Sequence, residues 1–301
     1  MGFLNAIRAG APSLSFEFTP ARDAAGAEAL AERAARLESL APDFVSVTYG
    51  AAGNTADRLD NSIRATALLA RATPAARLAH LTLAGHSRAE LEQIVARFLA
   101  TGAEGFLALR GDPPDGPTAP WRAAPGGLTH AFELVRLIRA LSPAPIGVAA
   151  FPHGHPSAES LEHDAAVLAL KQRSGADFAV SQVLFEAEAY FRLRDRAATA
   201  GADLPIIPGI MPITGSVRLD RVETFSGGPL PPALSERVAA AASGDELSRA
   251  GLEWSVELVR DLLVGGAPGV HFYTVGGAQA TEAVCHALEL KGARQLGRPQ
   301  P

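Results

Sequence analysis

The 301-residue chain has one cysteine, Cys285, so it can build neither a disulfide framework nor a multi-thiolate metal site. That usage suits a reducing, cytoplasmic compartment. Aromatic residues make up only 6% of the chain, and the abundance of alanine reads as coding bias without functional content. Positive charge is not in excess: 27 Lys and Arg stand against 32 Asp and Glu, for a net charge of −5 and a pI near 5.9. No basic field exists to hold a phosphate backbone, so nucleic acid is not an expected partner. No run of 18 apolar residues is free of charge, which argues against a membrane-spanning helix. The opening MGFLNAIRAGAPS lacks the long apolar core of a secretory leader. Neither a GxGxxG nor a Walker A motif occurs. Their absence excludes little, because barrels bind dinucleotides without them.

What is present is an alternation of short apolar runs and longer Ala/Leu/Arg/Glu-rich runs. Eight runs read as strands: Leu14–Phe18, Phe44–Thr48, Leu78–Leu83, Gly105–Leu109, Ile146–Ala150, Phe178–Val183, Ile206–Ile210 and Val270–Thr274. Most are almost continuously apolar, as parallel strands covered on both faces are. Helical patterns lie between them. Ala24–Leu40 carries a stripe at Leu30, Ala34, Leu37 and Leu40. Ser87–Thr101 opens with a capping box, Ser87 and Glu90, and is followed by Gly102 as its C′ residue. Thr129–Leu141, Leu161–Ser174, Glu186–Ala200 and Glu253–Val264 behave similarly. Eight β-then-α units predict an α/β fold, a (β/α)8 barrel over residues 1–293 with a disordered tail at 294–301. A doubly wound open sheet is less suited, because no nucleotide fingerprint follows the first strand. Two irregular stretches, Gly111–Gly127 and Thr214–Asp245, follow strands four and seven and are expected to border the site.

Barrel chemistry collects at the C-terminal ends of the strands. Glu17 lies there between Phe16 and Phe18, and strand alternation points it away from both. Burial disfavours the charged form of a carboxyl, which suits a general acid. The plainer reading is a carboxylate paired with Arg22 or Arg110. Arg110 and Asp112 share a face and either pair with each other or contact a ligand. Gln182 ends a buried strand, so its amide is satisfied by backbone or reads a planar heterocycle. His80 alone reads as a core histidine. His153 and His155 could ligate a metal, but no third ligand stands at a sensible spacing, so no metal site is expected. Cys285 reads as a small core residue.

The segments SFEFTPAR, DFVSVTYGA, HLT, ALRGDPP, AAFPHGHP, LKQRSGADFAVSQ, IIPGIMPIT and HFYT, in this order from Ser15 to about Leu290, resemble the methylenetetrahydrofolate reductase family. The resemblance implies a (β/α)8 barrel holding FAD at its C-terminal face. There NADH or NADPH reduces the flavin, and 5,10-methylenetetrahydrofolate is then reduced to 5-methyltetrahydrofolate. By the same resemblance Glu17 matches the family's general acid, Asp112 a residue near flavin and pterin, and Gln182 a residue contacting folate and nicotinamide. Thr48, His80, Leu109, Arg110, Gly111 and Ala149 match flavin contacts. His155, Asp164 and Lys171 match positions holding the flavin's ribityl, phosphate and adenosine parts, and Tyr273 matches a substrate contact. The family forms dimers and tetramers. The chain is short for a eukaryotic-type regulatory domain, so control by S-adenosylmethionine is not expected.

The sequence departs from the family pattern at His130, Phe151, His153, Ser216 and Val275–Gly277. Two further readings therefore stand beside the flavoenzyme. One is a flavin-independent, NADH-dependent reductase of the same or a related iminium substrate. The other is a non-catalytic folate- or flavin-binding barrel, which would have no need of a buried acid at Glu17.

Overall fold

The computed structural model describes residues 4, 5, 7, 10–49, 55–112, 120–214, 226–274 and 277–292. Ser216, Val275, Gly276, the tail and the middle of both irregular stretches lie outside the described residues. Eight strands run in chain order: β1 (Ser13–Phe18), β2 (Phe44–Val47), β3 (Ala76–Thr82), β4 (Gly105–Leu109), β5 (Ile146–Ala150), β6 (Phe178–Val183), β7 (Ile206–Ile210) and β8 (Gly269–Tyr273). All pair in parallel, and β8 closes back onto β1. The result is the closed (β/α)8 barrel that the alternating pattern predicts.

The described helices are α1 (Ala24–Glu38), α2 (Thr55–Ala72), α3 (Arg88–Ala100), α4 (Ala131–Leu141), α5 (Leu161–Arg173), α6 (Ala187–Thr199), α7 (Pro232–Ala239), α8 (Gly244–Val264) and α9 (Ala278–Ala287). The capping box on α3 is formed, with Ser87 Oγ accepting from Glu90 N and Glu90 Oε2 accepting from Ser87 N at 2.7 Å. The sequence reading leaves α2 out. Its inner face carries Ser62 and Thr66, both fully buried, which break the apolar stripe. Their hydroxyls are satisfied by backbone, Ser62 Oγ donating to Thr48 O at 2.8 Å and Thr66 Oγ1 to Ser62 O at 2.9 Å. α8 also begins nine residues earlier than its apolar pattern suggests, at Gly244, where Ser243 caps it through Glu246 N. Cys285 is buried on α9, and its thiol is pushed up to about 12 by that burial.

Two apolar layers are separated by the sheet. Phe16, Phe18, Val45, Val47, Leu81, Phe106 and Val148 face outward into the main core beneath the helices. The alternate residues face inward. Phe44, Leu78, Leu107, Phe178, Val180 and Ile207 fill the barrel, with Leu4 and Ile7 joining them from the N-terminal segment. Above this plug the inward positions turn polar, which is where the site begins.

Candidate active site

Burial along the strands marks the mouth. Six strands open near the C-terminal end at one inward position: Glu17 in β1, Thr82 in β3, Leu109 in β4, Ala149 in β5, Gln182 in β6 and Tyr273 in β8; only β3 is also half-open at its start, Ala76 and Arg77. Thr48, directly after β2, is likewise half-buried. Five of the sequence-predicted site residues therefore share one ring with Thr48. A groove of about 490 Å³ lies elsewhere, between α1 and α2 and edged by Arg22, Arg64 and Arg71. It contains none of the candidate residues.

Glu17 faces inward, as strand alternation predicts, but neither arginine considered for it is its partner. Its Oε2 lies 3.4 Å from His80 Nε2 and 3.9 Å from His271 Nε2. The register explains this, since β1 pairs Ser15 with His271 and Glu17 with Tyr273. His80 is buried, and burial lowers its pKa, with Glu17 opposing and His271 reinforcing the shift. Tyr273 donates its hydroxyl to Ser181 O at 2.8 Å, and its own pKa is driven far up by burial and then by the Glu17 charge. Thr274 Oγ1 donates to the Glu17 carbonyl at 2.5 Å, tying the end of β8 to β1.

Gln182 stands at a break in the ladder, where the register of β6 on β7 shifts between Val180 and Val183. A bulge there re-aims one side chain. Its Oε1 accepts from Val183 N at 3.0 Å. Ser181 Oγ accepts from Gly209 N at 2.9 Å and donates to Gln182 O at 2.8 Å, holding the bulge in place.

A second group of side chains follows β4 and β5. Arg110 does not pair with Asp112 among the described residues. Its guanidinium lies over the Trp121 ring at 5.1 Å and reaches Ser157 Oγ at 3.4 Å. Trp121 comes from the Pro/Gly-rich stretch, so that stretch does border the mouth, and its far end is tied to the cap of α3 by a Ser87–Gly127 bridge. Gly111 has φ +80°, and a Cβ there would lie 2.8 Å from Thr82 Cβ, so only glycine fits the turn beneath Asp112. Lys171 is buried, donates from Nζ to Ala149 O at 2.9 Å and lies 5.9 Å from the Phe151 ring centre. Burial pulls its pKa down to about 8, against the attraction of Asp164. Asp164 in turn is shifted up by burial, with Lys171 opposing. His155 packs edge-on against Phe151, accepts from Ser157 N at 2.9 Å and is held down to about 4 by burial, Arg110 and Lys171, so it is neutral at physiological pH. His153 faces away, against Gly228 of the second irregular stretch. Residue 130 caps α4 and stacks on Phe132 rather than entering this group.

Polar atoms in these two groups want partners. Arg110 Nε, Trp121 Nε1, His80 Nε2 and His271 Nε2 are buried without hydrogen bonds among the described residues. Such groups are costly unless a ligand or water satisfies them. In the sequence His271 stands only as part of the HFYT segment, and neither Ser15 nor Trp121 stands out as a site residue. The signal for the first two was present, as Ser15 with Glu17 and His271 with Tyr273 are polar residues at period two in otherwise apolar strands.

Polar, ligand-hungry side chains at the C-terminal end of a closed parallel barrel define a (β/α)8-barrel enzyme. Which one follows from its relatives. The family model described as methylenetetrahydrofolate reductase matches residues 3–289. The chain is 33% identical to the 5,10-methylenetetrahydrofolate reductase of Salmonella typhimurium over 283 residues, 94% of this chain and 92% of that one. The Escherichia coli protein of the same name is 32% identical over the same span. Methylenetetrahydrofolate reductase (NADH) 1 of Arabidopsis thaliana is 30% identical over 97% of this chain and 51% of its own length. The chain belongs to the methylenetetrahydrofolate reductase family. Among the described residues no helix is long and apolar enough to cross a membrane.

Proposed function

We propose that this enzyme reduces 5,10-methylenetetrahydrofolate to 5-methyltetrahydrofolate, with NADH or NADPH as reductant and FAD as the resident carrier. The observation that carries the reading is Glu17: a carboxyl at the open mouth of the barrel, flanked by two buried imidazoles rather than by an arginine.

The residues present fit a flavin. Arg110, Lys171 and His155 surround one corner of the mouth, two of them cations, and the orphaned Arg110 Nε and Trp121 Nε1 lie beside it. Lys171 and Arg110 would hold the pyrophosphate, a role that a buried ammonium and a planar guanidinium serve without a P-loop. Asp164 and His155 would meet the ribityl and adenosine parts. Thr48, His80, Leu109, Gly111, Asp112 and Ala149 would border the ring system. When bound, the flavin carries hydride from nicotinamide to folate.

The chain's own work is proton delivery and orientation. Glu17 gives its proton to the nitrogen that leaves when the five-membered ring of the folate opens, exposing an iminium carbon to hydride. One proton and one hydride enter per turnover, and Glu17 is reprotonated from the mouth. Gln182 presents its amide from the β6 bulge to the planar ring of whichever partner occupies the mouth. Tyr273 closes the floor on that side.

Two measurements test this. Purified protein should be yellow, with a flavin absorbance bleached by NADH or NADPH; a colourless protein that still reduces the folate from NADH would favour direct transfer. Glu17→Gln keeps size but cannot deliver a proton. Stopped-flow should find folate reduction down by about 10²–10⁴-fold, the usual worth of general acid catalysis. Equal loss of flavin reduction by NADH would instead make Glu17 structural.

A further inference from the structure

His271 lies below Glu17, on the floor of the site, and is almost wholly shut off from solvent. Its ring stacks on Phe44 with centroids 5.7 Å apart and meets Tyr273 edge-on. Its Nδ1 lies 2.8 Å from Ser15 Oγ, and Ser15 Oγ lies 3.2 Å from the Val270 carbonyl. A carbonyl can only accept, and a serine hydroxyl has one proton to give. Ser15 therefore donates to Val270 and accepts from His271 Nδ1–H. In the neutral ring this leaves Nε2 as a bare lone pair, and Nε2 has no other partner among the described residues. That lone pair faces Glu17 Oε2 at 3.9 Å.

From this we infer that His271, with its tautomer fixed by Ser15, is a positioning residue that keeps Glu17 loaded with its proton. The inference rests on the acid role proposed for Glu17. A carboxylate oxygen beside a lone pair is repelled, whereas a carboxylic acid can point its proton at it. The alternative, an imidazolium–carboxylate pair, would set a charged ring on the apolar plug of Phe44 and Phe178, where only Glu17 could compensate it. The other titratable groups facing Glu17 are His80 from β3, whose charged form burial disfavours, and Tyr273 from β8, neutral throughout the working range. No arginine or lysine faces it among the described residues to compete for the carboxylate form. After the proton is given up, Glu17 recovers one from the mouth, with the His271 lone pair facing the returning proton.

Two variants separate this from a packing role. His271→Asn keeps a donor for Ser15 at the place of Nδ1 but removes Nε2. Ser15→Ala leaves the ring and frees its tautomer. Both should move the pH limb on which folate reduction falls by one unit or more toward low pH. Both should lower kcat at pH 7.5 about tenfold or more, with KM for the folate within about threefold and the melting temperature within a few degrees. Independently of turnover, ¹⁵N NMR of imidazole-labelled protein should find His271 neutral with its proton on Nδ1, and its Nε2 signal should move in Glu17→Gln. An unshifted pH limb in two folded variants, or a proton on Nε2 in the parent, overturns the inference. If the parent reduces no methylenetetrahydrofolate, the functional reading fails, and the NMR result alone decides whether the Ser15–His271–Glu17 arrangement is as argued.

Discussion

Replacing Lys171 by methionine should make the ligand-free protein more stable at neutral pH and a worse binder of flavin. The ammonium is buried, and its pKa falls from 10.5 to about 8. At about 1.4 kcal/mol per pH unit, the fold carries roughly 3 kcal/mol of strain for holding that charge out of water. Below pH 8 both folded and unfolded chains hold the proton, and the penalty is present in full. Between pH 8 and 10.5 the unfolded chain binds a proton that the folded one has released, so the parent gains stability as pH rises. Methionine removes the penalty but also the bond to the Ala149 carbonyl, worth about 1 kcal/mol. The net gain at pH 7 is then about 2 kcal/mol, or ~4 °C in melting temperature for a chain of this size. The gain should shrink steadily above pH 8 and reverse at about pH 9.5, where the remaining penalty equals the lost bond. Loss of a charge-assisted bond to an anion weakens binding by about ten- to a hundredfold. In the parent, an anion bound beside Lys171 raises its pKa again, so flavin affinity should be level below pH 8 and fall by up to about tenfold per unit above it. Calorimetric melting from pH 6.5 to 10.5 and fluorescence titration with FAD read the two effects. A variant that melts lower at pH 7 yet binds FAD like the parent would make Lys171 a strut for the Ala149 carbonyl and refute the reasoning.

Gly209→Ala should destabilise the barrel by about 1–3 kcal/mol, because its Cβ would lie 2.4 Å from Ser181 O and 2.5 Å from the Tyr273 ring. Denaturant melts will register it, and the Gln182 bulge should loosen with it, raising KM for the folate. Asp177→Ala should cost about 1–3 kcal/mol without altering kcat, since Asp177 Oδ2 accepts from Ile146 N at 2.9 Å and from Arg139 Nη2 at 2.5 Å, away from the mouth.

The barrel was legible because its strands are short apolar runs and because polar residues intrude only at their C-terminal ends. Gly105–Leu109, Ile146–Ala150, Phe178–Val183 and Ile206–Ile210 begin and end where the periodicity puts them. α2 was not legible because buried Ser62 and Thr66 satisfy themselves on local backbone and so look like surface residues in the sequence. The site was legible as a set of residues but not as a set of pairs. Nothing local in the sequence says that Arg110 turns to Trp121 instead of Asp112, or that Lys171 reaches the carbonyl of Ala149 some twenty residues earlier. Those contacts depend on loop conformation and on register across strands, which alternation alone does not fix.

The partner of Glu17 is the instructive difference. Pairing with Arg22 or Arg110 is the plainer of the two readings the sequence allows for this carboxyl, and it would suit a proton donor poorly. A guanidinium is always charged, and its nearness favours the carboxylate by an amount equivalent to one to three pH units. Histidine differs because burial can keep it neutral. His80 is held in that state by desolvation, and the Ser15 bond aims a lone pair of His271 rather than a donor at the carboxyl. The apolar plug below, closed from beneath by Leu4 and Ile7, maintains the dry floor on which this depends. An N-terminal segment far from the mouth thereby bears on the proposed chemistry, since loosening Leu4 and Ile7 would admit water beneath His271. The acid role proposed for Glu17 requires the bottom of the barrel to stay closed as much as it requires the mouth to stay open.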